Sequence, residues 1–257
     1  MTQPLLKIYG ERNSGTRYLG KLVKRNLDVK VIPGVVPKKI MALKRIIPVE
    51  RMQDIYFYLT FYRNLGWKHM LAKNAYELRK YSIVSKNLSF VTITKNPYSW
   101  LLSLHKNPYH HHRSKKQDFE TFLTSSWRTV DRENTPSVIS NPVELWNIKN
   151  KSYLQLKSQF PTLNLKYEYL VRDPEQIVEL ISKSFSYTWK VNRFENYELS
   201  TKYYELSATE MNKDSNFYRD YYLNEKWKEK LSARSISIIN DQLDKNLMDC
   251  FGYQIIT

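Results

Sequence analysis

The first half of the chain alternates short apolar runs with segments of helical periodicity. An apolar run over residues 5–9 stops at Gly10, and apolar residues three or four positions apart follow it over residues 18–23. A second run, over residues 88–94, is rich in β-formers and is followed by Pro97, which suits the first turn of a helix. Each pattern predicts a strand, a loop and a helix in succession.

The segments around these two units have less regular patterns. Residues 28–36 hold β-branched side chains interrupted by proline and glycine, and predict a short strand that ends in a turn. Residues 55–61 are dense in aromatic side chains and predict a strand whose end presents residues 64–69. Residues 105–118 predict a polar loop, and residues 119–127 predict a helix.

The second half of the chain continues the alternation. Residues 145–156 predict a helix, residues 163–167 a strand, and residues 173–185 a helix opened by Asp-Pro. Apolar residues every three or four positions over 236–247 predict one amphipathic helix. Strands that alternate with helices predict an α/β fold of three layers, a central, mainly parallel sheet between helices, in a single domain over residues 1–257.

The composition of the chain indicates the cellular compartment in which the protein is expected. The 257 residues are 42% hydrophobic, which is enough to bury one sizeable core. No apolar run is long enough for a membrane span, and the N-terminus lacks the basic-then-apolar pattern of a signal peptide. Cys250 is the single cysteine, so neither an intrachain disulfide nor a cysteine-based metal site is expected. These features predict a cytoplasmic protein.

The charge balance predicts an anionic partner. Lys and Arg number 41 against 25 Asp and Glu, which gives a formal charge of +16. Such a charge raises the local concentration of anions. Nucleic acid, an anionic membrane and a polyanionic small molecule all satisfy this requirement, and charge alone does not choose among them.

The first loop has the setting of an anion cradle. Residues 10–17 leave a strand and enter a helix, where unpaired backbone N–H groups and the helix dipole favour an anion. Two glycines, Gly10 and Gly15, are separated by four residues as in a nucleotide P-loop, but Thr16 stands where an ATP-binding loop needs lysine. The alternative is a tight turn in which Ser14 or Thr16 caps the helix.

This loop resembles the 5′-phosphosulfate loop of the sulfotransferases that use 3′-phosphoadenosine 5′-phosphosulfate (PAPS), a family with a P-loop-like fold. The family usually has lysine or arginine where this chain has Asn13. Arg12, Arg17 and Lys68 are the alternatives for the cation that stabilises the departing oxygen. The resemblance implies that the cofactor-binding residues of this loop are Arg12, Asn13, Ser14, Gly15, Thr16, Arg17 and Tyr18.

A second loop, residues 95–103, resembles the 3′-phosphate motif of the same family. The resemblance implies that Lys95 and Ser103 contact that phosphate, although lysine replaces the usual arginine and loses its bidentate fork. Two further segments agree: residues 166–170 resemble the family's Y-E-x-L segment, in which Tyr167 would approach the adenine, and residues 251–253 resemble a common ending.

A base is needed to take the proton of the attacking acceptor, and histidine suits this role. Lys68 and His69 resemble the family's Lys-Thr-His segment without its middle residue, which implies that these two residues are catalytic. The run His110, His111 and His112 is interpreted as part of a polar loop, because adjacent residues point in different directions and no nearby acidic cluster completes a metal site.

The resemblance implies sulfuryl transfer from PAPS to an acceptor hydroxyl or amine, the acceptor being a carbohydrate or glycolipid, with no metal. Two other functions stay open. A divergent nucleotide kinase would use the first loop for ATP, and a basic nucleic-acid-binding protein would account for the positive charge and the many tyrosines.

Overall fold

A parallel β-sheet lies at the centre of the protein. The computed structural model of the chain describes residues 3–42, 47–85, 87–110, 117–197 and 215–257. The strands in these ranges are β1 (Leu5–Gly10), β2 (Lys30–Val31), β3 (Leu88–Thr94), β4 (Trp127–Arg128), β5 (Val138–Ile139) and β6 (Thr162–Lys166). The sheet has the order β2-β1-β3-β6 with every pair parallel, while β4 and β5 form a separate antiparallel pair.

Helices surround this sheet. The α-helices of the described ranges are α1 (Thr16–Asn26), α2 (Lys38–Met41), α3 (Val49–Asn64), α4 (Ala75–Arg79), α5 (Pro97–Lys106), α6 (Phe119–Thr124), α7 (Pro142–Lys157), α8 (Tyr167–Arg172), α9 (Pro174–Phe185), α10 (Ser215–Leu223), α11 (Ala233–Gln242) and α12 (Lys245–Phe251). Among the described helices, none has both the length and the apolar composition of a membrane span.

Alternation along β1 separates the two faces of the sheet. Leu6 and Ile8 are buried on one face with apolar residues of α1 and α9. Tyr9 is buried on the opposite face, where its ring stacks on Phe90 of β3 at 6.1 Å and on Tyr153 of α7 at 6.4 Å. The sheet therefore has helices on both sides, and the predicted three-layer α/β architecture is confirmed.

A further apolar cluster lies beside the sheet, between α5, α6, α7, α11 and α12. Four tryptophans are almost fully buried in it, namely Trp100, Trp127, Trp146 and Trp227. Truncating one such side chain to alanine typically costs about 3–5 kcal/mol, so this cluster fixes α5 firmly on α7.

The predicted strand over residues 55–61 is wrong. This segment lies inside α3, a helix of 16 residues that begins after Pro48 and ends where Leu65 adopts a left-handed conformation. The aromatic side chains favoured a strand, but no period-two alternation accompanies them. Phe57 and Met52 are buried on one side of the helix while other apolar residues face solvent, so tertiary packing overrides the local preference.

The predicted single helix over residues 236–247 is two helices. Leu243 is extended, and the Asp244 side chain accepts a hydrogen bond from the Leu247 N–H at 3.2 Å to open α12. Residues 119–127 are also only partly helical, because α6 ends at Thr124 and Trp127 pairs with Ile139 in β4 and β5.

Other boundaries differ slightly. The strand predicted within residues 28–36 forms only over β2, and the strand predicted to reach Tyr167 ends at Lys166, where α8 begins. In the segment predicted as a polar loop, α5 continues to Lys106. His111 and His112 lie outside the described residues.

Candidate anion-binding active site

The first loop joins β1 to α1 at the carboxyl edge of the sheet. A Cβ atom at Gly10 would lie 2.4 Å from the Ile93 side chain and 2.6 Å from its carbonyl oxygen, so β1 and β3 can approach this closely only with glycine there. Gly15 has φ of +83° and precedes the first residue of α1. Among the described residues no side chain caps this helix, and neither Ser14 nor Thr16 does so, which excludes the capping alternative. The positive end of α1 is thus left for another anion.

Asn13 and Ser14 fix the shape of this loop. Asn13 has φ of 62°, a conformation that asparagine tolerates better than most residues. The Ser14 hydroxyl donates to the Glu11 carbonyl at 2.5 Å, and the Ser14 N–H donates to the same oxygen at 3.2 Å. Ser14 is fully buried, so its side chain holds the turn rather than facing outward.

The second loop joins β3 to α5. Asn96 caps α5 by accepting from the Tyr98 N–H at 3.1 Å, and Pro97 fills the first helical position. Lys95 donates through Nζ to the Ser103 hydroxyl at 2.9 Å, and that hydroxyl donates to the Ser99 carbonyl at 2.8 Å. The two residues that the sequence predicts for one phosphate therefore touch each other.

Lys95 is buried among aromatic rings. Its Nζ atom lies 4.0 Å from the ring centre of Tyr222 and 4.9 Å from that of Tyr167. In the part of the chain that the structure describes, no carboxylate forms an ion pair with Lys95. Ring faces and a hydroxyl surround its ammonium group, and no described carboxylate balances its charge.

Three contacts bind the two loops together. The indole N–H of Trp100 in α5 donates to the Arg12 carbonyl at 2.8 Å. The Asn13 amide donates to the Ser103 carbonyl at 3.3 Å. The Tyr167 ring lies against both loops, because a Cβ atom on Gly15 would meet its Cδ2 at 2.9 Å while Lys95 faces the same ring. The structure thus brings together the two segments that the sequence analysis singled out.

Lys68 and His69 lie at the start of the first loop. The chain turns after α3 through Leu65 and Gly66, both with positive φ, and then runs beside Gly10. The Gly10 N–H donates to the Lys68 carbonyl at 3.0 Å, and the Gly10 carbonyl accepts from Nδ1 of His69 at 2.5 Å. Lys68 and His69 follow a helix and not the predicted strand, yet both residues lie beside the first loop.

The hydrogen bond to Gly10 determines the tautomer of His69. A carbonyl oxygen only accepts, so Nδ1 carries the proton in this contact. Burial and then repulsion from Lys68 lower the pKa of His69 well below its usual 6.5, with Arg12 and Lys149 adding to the effect. The ring is therefore neutral at pH 7, and Nε2 carries a lone pair that can accept a proton.

The Lys68 ammonium group holds its proton more weakly than an ordinary lysine does. Burial and then repulsion from Arg17 lower the pKa of Lys68 to about 7. Within the described ranges no carboxylate pairs with it. A buried lysine that lies near a second positive group and has no carboxylate partner among the described residues is an arrangement that binding of an anion stabilises.

The Arg12 side chain binds partners outside the first loop. Its guanidinium forms an ion pair with Glu133 at 3.1 Å and lies 3.1 Å from Nδ1 of His110. It also faces the rings of Trp67 at 4.7 Å and Tyr109 at 4.5 Å. Arg12 is 4% exposed, so it holds surrounding segments together.

A buried ion network lies beneath His69. Lys149 of α7 pairs with Glu133 at 2.7 Å and with Glu11 at 3.0 Å, and it donates to the His69 carbonyl at 2.7 Å. Burial raises the pKa of Glu11, whereas at Glu133 the attraction of Lys149 and Arg12 outweighs burial and lowers the pKa. This network fixes the backbone that carries the histidine.

The remaining predicted residues of the first loop differ in their burial and in their contacts. Thr16 is buried against Gly10, and Arg17 is exposed near Lys68. The Tyr18 hydroxyl donates to the Asn196 side chain at 2.8 Å, and burial raises the pKa of Tyr18 to about 12. Tyr18 therefore contacts the segment that covers α1.

Sequence reasoning missed Lys149, Glu133 and Tyr222. A signal for Lys149 exists, because it stands three residues after the fully buried Trp146 and four before Tyr153, on the buried face of α7. A lysine at such a position requires buried partners. Glu133 and Tyr222 lie in segments with no corresponding signal.

The comparisons with known proteins concern the fold. No protein-family model matches the chain, and no curated protein sequence matches it. The chain is similar to the sulfotransferase domain of the Synechococcus PCC 7002 olefin synthase, with 14% identity, a TM-score of 0.48, and coverage of 98% of this chain and 96% of that one. It is also similar to the sulfotransferase domain from the curacin biosynthetic pathway, with 12% identity, a TM-score of 0.46, and coverage of 99% of each chain.

A third solved structure, a sulfotransferase from Alicyclobacillus acidocaldarius, has 12% identity and a TM-score of 0.47, and the match covers 99% of this chain and 98% of that one. All three are sulfotransferases, the family that the two loops resemble. At such identities and TM-scores, the likeness assigns no activity to this protein.

Proposed function

We propose that the protein transfers a sulfuryl group from PAPS to an acceptor hydroxyl. The observation that carries this proposal is the pair of joined loops, each with a positive site that no carboxylate of the described residues balances. One site is the uncapped end of α1 beside Lys68, and the other is Lys95 on Ser103. A donor with phosphate groups at both its 5′ and 3′ positions uses both sites, whereas ATP has no 3′-phosphate to use the second.

The proposed roles follow from the surroundings of each residue. The backbone of Gly15 and Thr16 at the start of α1 would hold the 5′-phosphosulfate. Lys68 would stabilise the charge on the departing oxygen, because it lies beside the first loop, whereas Arg12 is already paired with Glu133.

The second loop would hold the nucleoside end of the donor. Lys95 and Ser103 would bind the 3′-phosphate, and Tyr167, which contacts both loops, would pack against the adenine. Charge-assisted hydrogen bonds from the lysine make this site selective for the phosphate rather than for the ribose hydroxyl.

The transfer step is an in-line displacement at sulfur. The acceptor oxygen bonds to sulfur while the bond from sulfur to the bridging oxygen breaks, and that electron pair leaves with adenosine 3′,5′-bisphosphate. The acceptor proton passes to Nε2 of His69, whose Nδ1–H stays bound to the Gly10 carbonyl. No side chain changes its hydrogen-bond partner in this scheme, which keeps the cost of reorganisation small.

For the acceptor we propose a hydroxyl of a carbohydrate or glycolipid, the class that the resemblance implies. Trp100 and Trp146 are fully buried and belong to the core, so they offer no ring to a sugar. Tyr109 is 40% exposed and packs on Arg12 beside the first loop, which makes it a candidate stacking surface.

The test is donor turnover with a panel of acceptors, namely sugars, a glycolipid, a phenol and an amine. The expected result is release of adenosine 3′,5′-bisphosphate that depends on the acceptor and persists in a chelator. Magnesium-dependent ATP turnover, without PAPS turnover, would instead assign the first loop to a kinase. Salt-sensitive binding of DNA or RNA, with no nucleotide binding, would favour the nucleic-acid-binding alternative.

A further inference from the structure

Helix α3 has an apolar face that is exposed to solvent. The exposed fractions are 44% for Ile55, 84% for Tyr58, 62% for Leu59 and 50% for Tyr62. These positions are spaced i, i+3, i+4 and i+7, so the four side chains lie on one face of the helix, and we call them the α3 stripe. Scattered exposed apolar residues are ordinary, but a continuous row of large ones marks an interaction surface.

Positive charge lies at both ends of the α3 stripe. Arg51 is exposed one turn before Ile55, and Arg63 is exposed beside Tyr62, whose ring its guanidinium faces at 5.0 Å. Neither arginine has an ion-pair partner among the described residues. Both are in place to meet an anionic surface that the stripe contacts.

Both carboxylates of α3 pair with one buried arginine. Asp54 pairs with the buried Arg132 at 2.7 Å, and Glu50 pairs with the same guanidinium. These ion pairs offset the negative charge of both carboxylates, although the Glu50 side chain is 45% exposed, so α3 places no unpaired negative charge beside the stripe. The whole chain has a formal charge of +16, which has the same sign.

We propose that the α3 stripe docks the protein on an anionic lipid surface. A helix with aromatic and aliphatic residues on one face and arginines at its edges lies flat at a bilayer interface, with apolar groups below the headgroups and guanidiniums at their level. A second copy of the chain is disfavoured as the occupant, because two chains of charge +16 repel each other.

Docking has a geometric consequence for the site. The stripe ends at Tyr62, two residues before the end of α3, and the turn through Leu65 and Gly66 leads directly to Lys68 and His69. The docking helix and the proposed base thus belong to one continuous segment, which suits an acceptor carried by a lipid. This consequence rests on the proposed function, whereas lipid binding by the stripe does not.

The test is co-sedimentation of the full chain with phosphatidylcholine vesicles that contain or lack phosphatidylglycerol. We expect binding that requires phosphatidylglycerol and falls about tenfold or more in the double variant Leu59→Ser with Tyr62→Ser. The matched control changes another exposed leucine and tyrosine, Leu180→Ser with Tyr169→Ser, and should bind as the wild type does. Replacing each arginine by glutamine should weaken binding roughly fivefold.

A far-UV circular dichroism spectrum equal to that of the wild type checks that the stripe variant is folded, and adenosine 3′,5′-bisphosphate binding separates this proposal from the proposed function. Equal vesicle binding by the wild type and the stripe variant, or equal binding to both kinds of vesicle, overturns the proposal. A wild-type dimer in light scattering that the stripe variant abolishes also overturns it, because the occupant is then a second copy. Vesicle binding by a wild type that does not bind the nucleotide leaves docking intact and contradicts only the function.

Discussion

Replacing Lys95 by methionine should remove selectivity for the 3′-phosphate. Methionine keeps most of the length of the side chain, so it can still pack between the rings of Tyr167 and Tyr222. The Ser103 hydroxyl keeps its own acceptor, the Ser99 carbonyl at 2.8 Å. No carboxylate in the described part of the chain loses a partner, so the variant removes a charge without leaving an opposite charge buried.

The size of the effect follows from the bond that is lost. A hydrogen bond to a charged group contributes about 1.5–3 kcal/mol, which corresponds to a loss of affinity of roughly ten- to 150-fold. Adenosine 3′,5′-bisphosphate should lose that much, while AMP, which lacks the 3′-phosphate, should lose little.

Isothermal titration of both ligands against the wild type and the variant measures this difference. Lys166→Met is the matched control, since Lys166 ends the neighbouring strand β6 and also faces two rings, those of Tyr169 and Tyr253. The control should leave the ratio of the two affinities unchanged. Equal losses for both ligands in Lys95→Met, or the same change in the control, would refute the assignment of Lys95 to the 3′-phosphate.

Three further predictions concern the first loop and its support. His69→Gln should lower turnover roughly 10²-fold or more and leave the affinity for adenosine 3′,5′-bisphosphate unchanged, because the base acts on the acceptor. At pH 8 Lys68, with its pKa of about 7, is mostly neutral, and a bound anion raises that pKa. Calorimetric titrations with adenosine 3′,5′-bisphosphate, in buffers of different ionisation enthalpy, should therefore detect that the complex takes up as much as about one proton. Lys68→Met should abolish this uptake. Lys149→Met should lower the free energy of unfolding by about 3–5 kcal/mol, since Glu133 loses a buried partner, whereas the exposed neighbour Lys151→Met should change it by less than about 0.5 kcal/mol.

Each of these predictions has a result that contradicts it. Normal turnover in His69→Gln would mean that another group is the base. Proton uptake that persists in Lys68→Met would mean that another group takes up the proton. No uptake in the wild type would mean that Lys68 does not interact with the bound anion. A loss of stability in Lys149→Met no larger than that in Lys151→Met would mean that the ion network does not stabilise the backbone that carries His69.

The parts of the fold near the two loops could be predicted because local signals there agree. Gly10 stops one strand and Pro97 opens the helix after another, and both strands are rich in buried apolar residues. In a parallel sheet the carboxyl ends of neighbouring strands meet at one edge, so adjacency of β1 and β3 brings the loops together. Strand order itself has no local signal.

Helix α3 could not be predicted from its aromatic content. Its apolar residues lie on both the core face and the solvent face, with Phe57 facing the core and Tyr58 facing outward, so no polar face marks the segment as a helix. The length of the segment without glycine or proline was the better signal, because 16 residues exceed an ordinary strand.

The engagement of Arg12 could not be predicted either. Its partner Glu133 lies 121 residues away in the sequence, and only the folded chain brings them together. The same holds for Lys95 and Tyr222, which meet because α10 packs near α8. Sequence motifs name the residues of a site, whereas the partners that restrain or orient them depend on tertiary packing.

The most direct test of the central claim is a thermal-shift comparison of adenosine 3′,5′-bisphosphate, ADP and ATP with the wild-type protein. A ligand at one hundred times its Kd stabilises the native state by about 2.7 kcal/mol, which corresponds to a rise in Tm of roughly 5–10 °C for a chain of this size. We predict such a rise with adenosine 3′,5′-bisphosphate without added metal, and a smaller one with ADP or ATP at the same concentration. A rise with ATP that equals or exceeds that with adenosine 3′,5′-bisphosphate would contradict the assignment of the two loops to PAPS.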